Sequence, residues 1–154
     1  SGGSSVGTRD HCSRVLEKLP APGLMVRGIN IVPGKPTLIA GSLEERKLVV
    51  SLPGHPLSCF TVAYVLLIPL LLKLIGASDT GYGIKMKLPM SRDITARTGP
   101  EEFVPCRITQ DGKIDPILAK SGYISSLASA DGFIRIPEDR ETIRAGETAE
   151  VWLW

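Results

Sequence analysis

Leu52-Pro53-Gly54-His55-Pro56-Leu57-Ser58 is the stretch on which the reading of this chain turns. It joins an apolar segment, Lys47-Leu48-Val49-Val50-Ser51-Leu52, to the longest apolar run in the sequence, which ends near Gly76. The first segment predicts a buried strand and the second a helix, with Pro56 suited to the first helical position. A glycine turn leading into a helix gathers free backbone N–H groups and the positive end of the helix dipole around one point, which attracts an anion. A rigid turn that binds nothing has the same sequence signature. The distinction rests on whether other loops meet this one.

Working outward towards the N-terminus, residues 1–9 are a Gly/Ser loop, Ser1-Gly2-Gly3-Ser4-Ser5-Val6-Gly7-Thr8-Arg9. Asp10 then opens an amphipathic helix to about Lys18, with Val15 and Leu16 expected to face inward. Glycines and hydroxyls in front of a helix can wrap an oxyanion, and a loose terminus has the same composition. No Gly-Lys-Ser/Thr follows, so the loop is not of the Walker A type. Pro20-Ala21-Pro22-Gly23 ends the helix, and a strand is expected over 24–31. Pro33-Gly34-Lys35-Pro36 is a tight turn with one charge. A lysine fixed between prolines is either a pre-organised point charge for an anion or an ordinary solvated turn residue. Short strands are expected over 37–40 and 47–52, joined by a charged turn, 41–46, whose tip (Glu44, Glu45, Arg46) faces solvent.

The apolar run 57–75 approaches the length of about 20 residues that spans a membrane. Ser58, Thr61, Tyr64, Pro69 and Lys73 interrupt it, and polar sequence flanks it on both sides. A helix apolar on nearly all faces is more simply one buried in a core or an oligomer interface. Pro69 lacks the helical N–H and is expected to kink or split it.

Beyond Gly76-Ala77-Ser78-Asp79-Thr80-Gly81 the helical periodicity gives way to short alternating segments, and the domain boundary is placed there, dividing the chain into 1–78 and 79–154. Residues 82–88 alternate Ile84, Met86 and Leu88 against Lys85 and Lys87. Strands over 103–109 and 113–119 flank Gln110-Asp111-Gly112, a hairpin signal. Residues 123–130 suggest one helical turn, and Phe133-Ile134-Arg135-Ile136 and 148–154 complete a set of short strands. The expected architecture is an α/β domain followed by a small all-β, barrel-like domain. Glu101-Glu102 is expected to be a solvated strand entrance, because adjacent strand residues face opposite sides.

Composition limits the functional classes. With 154 residues, 43% of them apolar, and a formal charge of +2, the chain is globular, one ordinary domain or two small ones. Its Lys and Arg are dispersed without interleaved aromatics, which gives nucleic-acid binding no support. Cys12, Cys59 and Cys106 are odd in number and not in CxxC spacing, as in a cytoplasmic protein with reduced, mostly buried thiols. His11 and His55 show no metal-ligand spacing, so no metal site is expected within these residues. The chain begins at Ser1 with no signal-like segment, which fits either a cloning scar or the interior of a loop in a longer protein.

Taken in order, Ser1-Gly2-Gly3-Ser4-Ser5-Val6-Gly7-Thr8-Arg9-Asp10, Pro33-Gly34-Lys35-Pro36 and Leu52-Pro53-Gly54-His55-Pro56-Leu57-Ser58 resemble motifs of the molybdopterin molybdenumtransferase family (MoeA in bacteria and archaea, the E domain of gephyrin in animals). Lys120-Ser121-Gly122-Tyr123-Ile124-Ser125-Ser126-Leu127, Ala130-Asp131-Gly132 and Ala145-Gly146-Glu147 resemble its last β domain. The resemblance covers nearly the whole chain. It implies the later part of a three-layer molybdopterin-binding α/β domain, then the C-terminal β domain. It implies insertion of molybdate into adenylylated molybdopterin with release of AMP, Mg2+ assistance, a homodimer, and small-molecule substrates with no nucleic-acid or membrane partner. The family's acidic GDE-type motif is absent from these residues. The chain is therefore expected to be a fragment inactive by itself, with no assignable catalytic residue.

The ligand-binding residues implied are Gly2, Gly3, Ser4, Ser5, Gly7 and Asp10, then Pro33, Gly34, Lys35 and Pro36, then Pro53, Gly54, His55, Pro56 and Ser58, with Ser125 closing the pocket. Three positions depart from the family pattern. Val32 stands where a lysine is common, His55 where an asparagine is common, and Pro100 where an arginine is common, with Arg97 close enough to replace that arginine. Two alternatives follow from these departures: a divergent non-catalytic pterin or oxyanion-binding module, and a dimerisation scaffold built on the helix at 66–72.

Overall fold

The computed structural model describes residues 1–2, 11–79, 81–118 and 124–154. Helix α1, His11–Leu16, precedes strand β1, Pro22–Arg27. β1 pairs antiparallel with β3, Leu38–Ser42, and β3 with β4, Lys47–Ser51, so the strand pair expected around the 41–46 turn is present. Leu16, Leu38 and Ala40 form a small core with Cys12, Leu19, Leu24 and Val49 around them. Of the two residues expected to face inward on α1, only Leu16 does. Val15 is 62% exposed, because a helix of six residues turns a narrow stripe towards the sheet.

The strand expected over 24–31 stops at Arg27. Gly28, at φ +81, donates its N–H to the carbonyl of Thr37 (2.8 Å), and the Ile29 N–H reaches the carbonyl of Lys35 (3.0 Å). These turn bonds end the ladder. The chain then starts a new two-residue strand, β2, Ile31–Val32, which belongs to a different sheet.

The apolar run forms a helix over Pro56–Leu74: α2 (Pro56–Val62), a π-helical segment (Ala63–Leu67) and α3 (Ile68–Leu74). The interruption expected at Pro69 takes the form of this π segment one turn earlier, which widens the helix where a proline downstream removes a donor. Gly76, at φ +79, ends it, with the N–H groups of Gly76 and Ala77 bonded to the carbonyls of Lys73 and Leu72. By length and composition this helix is apolar enough to cross a membrane, and 28% of its most apolar window is buried. Its first half carries the packing, with Leu57, Ser58, Thr61, Val62 and Tyr64 all buried.

The larger sheet runs β2-β7-β9-β11-β5, where β5 is Ile84–Pro89, β7 Glu101–Ile108, β9 Gly132–Ile136 and β11 Thr148–Leu153. β2 lies parallel to β7, and β8 (Ile114–Pro116) pairs antiparallel with the other end of the same β7 edge. The β7–β8 hairpin turns at Gly112, φ +77, where the sequence places it. β6 (Ile94–Thr95) and β10 (Thr142–Ile143) form a separate pair, and α4 (Ile124–Ala128) precedes β9. Met90, one residue past β5, bridges to Ile114 of β8, so the far edge curls back towards β8. The sheet is barrel-like without being a closed barrel.

Strand alternation buries both faces of this sheet. Val104, Cys106, Ile134, Ile136, Ala149 and Val151 point inward to Met90, Ile94, Ile114 and Ile143. Phe103, Phe133 and Trp152 point the other way, to Leu57, Phe60 and Tyr64 of the long helix. Ring pairs such as Phe133–Trp154 (4.9 Å) and Phe103–Trp152 (5.3 Å) are edge-on. At Gly83, a Cβ would lie 1.8 Å from the Tyr64 hydroxyl and 2.2 Å from the Leu153 carbonyl, so only glycine fits. On edge strand β5, Ile84 and Met86 are exposed along with the lysines between them.

Glu101 and Glu102 are not a solvated entrance, because β2 covers the start of β7. Both are half-buried. Glu101 is ion-paired with Arg135, which also meets Glu150 at 3.1 Å. Trp152 donates its indole N–H to Glu150 (2.6 Å), and Lys85 stacks 3.8 Å over the same indole.

Candidate functional site

The 33–36 turn is held from two sides. Thr37, fully buried, donates its hydroxyl to the Gly34 carbonyl at 2.7 Å. Gly34 sits at φ +148, and a Cβ there would lie 2.6 Å from a Val62 methyl, so the turn is pressed onto the long helix. Lys35, at its apex, faces solvent.

Lys35 lines a cleft of about 240 Å³ together with Asn30, Val32, Arg97, Thr98 and Pro100. Val32 and Arg97 also line a second cleft of about 350 Å³, whose other walls include Pro33, Leu57, Glu102 and Phe103. The two clefts therefore adjoin across Val32 and Arg97. Among the described residues the lining of the smaller holds two cations and no acid, the nearby carboxylates of Glu102 and Glu141 being engaged by the Arg97 N–H and the Thr98 hydroxyl. Among the described residues neither Lys35 nor Arg97 forms an ion pair. Like charges without a counter-ion in one cleft repel each other, and an anion between them relieves that repulsion. The larger cleft is lined by apolar side chains such as Leu57, Ile94 and Phe103 together with Thr95, Arg97 and Glu102. It has room for a flat organic body beside the cationic cleft.

The structure places the other expected site residues as follows. Gly2 donates its N–H to the Leu52 carbonyl at 3.0 Å, and a Cβ on Gly54 would lie 3.3 Å from Gly2 Cα, so these two loops touch. Gly3, Ser4, Ser5, Gly7 and Asp10 lie outside the described residues. Pro53 is buried, and Gly54, His55 and Pro56 are exposed. His55 is the N-cap of α2 through its extended backbone (φ −73, ψ 131), and its side chain makes no capping bond. Pro56 is the first helical residue, and Ser58, two residues on in the first turn, is buried. α4 packs against α2, but Ser125 is exposed and lines neither cleft. Pro33 and Lys35 thus reach the clefts, while His55 and Ser125 do not line them. Asn30 and Thr98 were not anticipated. Arg97 is found beside Lys35, and its only sequence signal is its place three residues before Pro100. Among the thiols, burial first, then the carboxylates of Asp131 and Asp115, push Cys106 up to about 12, so it stays protonated and is no nucleophile.

Two family models match this chain. One, described as "Probable molybdopterin binding domain", matches residues 1–73, and the other, "MoeA C-terminal region (domain IV)", matches residues 87–154. The chain belongs to the MoeA family. A MoeA structure from Pyrococcus horikoshii superposes with a TM-score of 0.74 at 36% identity, covering 91% of this chain and 34% of that one. A molybdenum cofactor biosynthesis protein from Pyrococcus furiosus gives 0.73 at 34% identity, covering 85% of this chain and 45% of that one. A Methanocaldococcus jannaschii protein named for molybdopterin biosynthesis is 33% identical over 99% of this chain and 35% of its own length. The molybdopterin molybdenumtransferase of Synechococcus elongatus is 29% identical over 98% of this chain and 36% of its own length. This MoeA-family chain therefore spans about a third of the length of the curated relatives it matches.

Proposed function

We propose that this chain supplies the oxyanion-gripping part of a molybdopterin molybdenumtransferase, an enzyme that inserts molybdate into adenylylated molybdopterin and releases AMP. The observation that carries the proposal is the pairing of Lys35 and Arg97 in one cleft whose described lining holds no acid, beside a second cleft with apolar and polar walls that has room for a pterin. Lys35 acts as a point charge and Arg97 as a planar fork, and charge-assisted bonds to an oxyanion are about twice as strong as neutral ones. Molybdate and the phosphate of molybdopterin present the same chemistry to this pair. The Gly2–Gly54 contact brings the two glycine loops together near the start of the long helix, whose positive dipole end favours an anion.

The intact enzyme acts in the cytoplasm as a homodimer on small-molecule substrates, with neither nucleic acid nor membrane as partner. Free cysteines and the exposed apolar residues Leu71, Leu74 and Ile75 at the end of the long helix support this setting. The division at 78/79 separates a pterin-binding part from a C-terminal part. Magnesium belongs to the intact enzyme in this reading. Among the described residues no group of three His, Cys, Asp or Glu side chains is placed to hold a metal ion, so no step here runs through it.

Calorimetric titration of molybdate into the chain tests the site. Lys35→Ala and Arg97→Ala should each weaken binding about tenfold with an unchanged melting temperature, in line with the loss of one charged hydrogen-bonding group. Unchanged affinity in both variants removes the pair from the site. The chain alone should give no molybdate insertion, and measurable turnover by it would refute that part. Val32, the apolar wall shared by both clefts, favours a second reading, a non-catalytic pterin or oxyanion-binding module. Binding without turnover when the missing family domains are supplied in trans would select it.

A further inference from the structure

The loop that carries Arg97 is fixed from both parts of the chain. On the side of the β domain, the Ala96 N–H donates to the Glu141 carbonyl (2.8 Å), the Thr98 hydroxyl to the Glu141 carboxylate (2.5 Å), and the Gly99 N–H to the Glu138 carbonyl (3.2 Å). The Arg97 N–H itself donates to the Glu102 carboxylate (3.2 Å). From the other side, the Asn30 side-chain amide donates to the Gly99 carbonyl at 2.7 Å, and the Asn30 carbonyl accepts the Glu101 N–H at 3.0 Å. Asn30 therefore brackets the peptide run between Arg97 and the start of β7. It also lines the smaller cleft and lies five residues before Lys35.

We infer that Asn30 is a positioning residue for a two-cation clamp on a tetrahedral oxyanion, registering the Arg97 loop against the Lys35 turn. The inference rests on the oxyanion reading above and adds to it the residue that sets the spacing of the clamp. Lys35 moves with the 33–36 turn, which is seated on the long helix. Arg97 belongs to a loop whose other ties run to the β domain, except where the loop enters β7 and the backbone of Asn30 and β2 holds Glu101 and Glu102. The Asn30 side-chain bond is a direct tie from the Lys35 side of the cleft to the backbone of the Arg97 loop. Without it, the loop keeps its bonds to Glu141, Glu138 and Glu102 and its backbone tie at Glu101, so the fold survives, but the stretch between Arg97 and Gly99 loses its direct hold on the Lys35 side and the distance between the two cations is set less tightly. Gly99, at φ +108, lets its carbonyl turn towards Asn30, and open space surrounds it, so nothing but the backbone angle demands glycine there.

The test is calorimetry on the 154-residue chain with molybdate, tungstate and inorganic phosphate as separate probes, alongside thermal melting. Asn30→Ala should weaken oxyanion binding about fivefold, the worth of one hydrogen bond, and leave the melting temperature within a degree or two. Asn30→Gln, which keeps an amide donor, should recover part of the loss. In an Arg97→Ala background Asn30→Ala should cost nothing further, because the tether has no cation left to place. An equal loss in both backgrounds overturns the inference, as does unchanged binding by Asn30→Ala when Lys35→Ala and Arg97→Ala are both defective. If neither cation variant affects binding, the oxyanion reading itself fails and the clamp fails with it. Stronger binding of phosphate than of molybdate would assign the clamp to the pterin phosphate, and the reverse order to the metal oxyanion.

Discussion

The hydroxyl of Tyr64 donates a 2.6 Å hydrogen bond to the carbonyl of Leu153, joining the middle of the long helix to the end of the last strand. Tyr64 is 3% exposed and its ring meets Phe60, Tyr82, Phe133 and Trp154. Gly83 closes the contact from the third side. Tyr64→Phe keeps the rings and takes this donor from a half-buried carbonyl, so urea unfolding should show a loss of about 1 kcal/mol. Gly83→Ala has no space for its methyl and a positive φ, and should lose more than Tyr64→Phe. The reverse order would mean that the helix and the β domain are joined elsewhere.

The charged row across the outer face of the large sheet gives a pH dependence. Burial works against the charged form of Glu150, but the Trp152 indole and Arg135 outweigh it and hold the carboxyl below its ordinary value of 4.5. A carboxyl depressed in the folded state binds fewer protons there than when unfolded. Its stabilisation is therefore complete above the unfolded value and lost as pH falls through the folded one. Stability measured by denaturant between pH 6 and 3 should be flat at first and then fall once pH drops below about 4.5. Glu150→Gln should flatten that fall. A Glu150→Gln profile parallel to the wild type would assign the acid sensitivity to other carboxylates.

Local patterns carried much of the fold. Pro56, the apolar run after it and Gly76 mark the long helix, and the Asp111-Gly112 turn marks the β7–β8 hairpin, because caps and turns are chemistry between near neighbours. The path of 24–31 was not legible. Gly28 alone does not announce that Ile31 and Val32 will pair with Glu101 and Glu102, about 70 residues away. The burial of Glu101 follows from the same long-range pairing. The candidate site divides in the same way. Lys35 and the glycine loops show in the sequence through their prolines and glycines. Arg97 shows only through its place near Pro100, Asn30 and Thr98 have no local signature, and the β2–β7 pairing brings all three to one cleft.

Val32 offers a gain-of-function experiment on the same cleft. It lines both clefts and stands where the resemblance drawn from the sequence implies a lysine. Val32 is half-buried, pairs with Glu102 of β7 and lines the space of both clefts. A lysine there has room to extend and would bring a third cation beside Lys35 and Arg97. The affinity for molybdate should rise severalfold at low ionic strength and the gain should shrink as salt is added, since screening lengths fall to about 8 Å at physiological ionic strength. The stability cost should be small, because the stem of a lysine covers apolar surface much as valine does. If Val32→Lys binds molybdate no more tightly than the unaltered chain at any salt concentration, the oxyanion does not sit between Lys35 and Arg97.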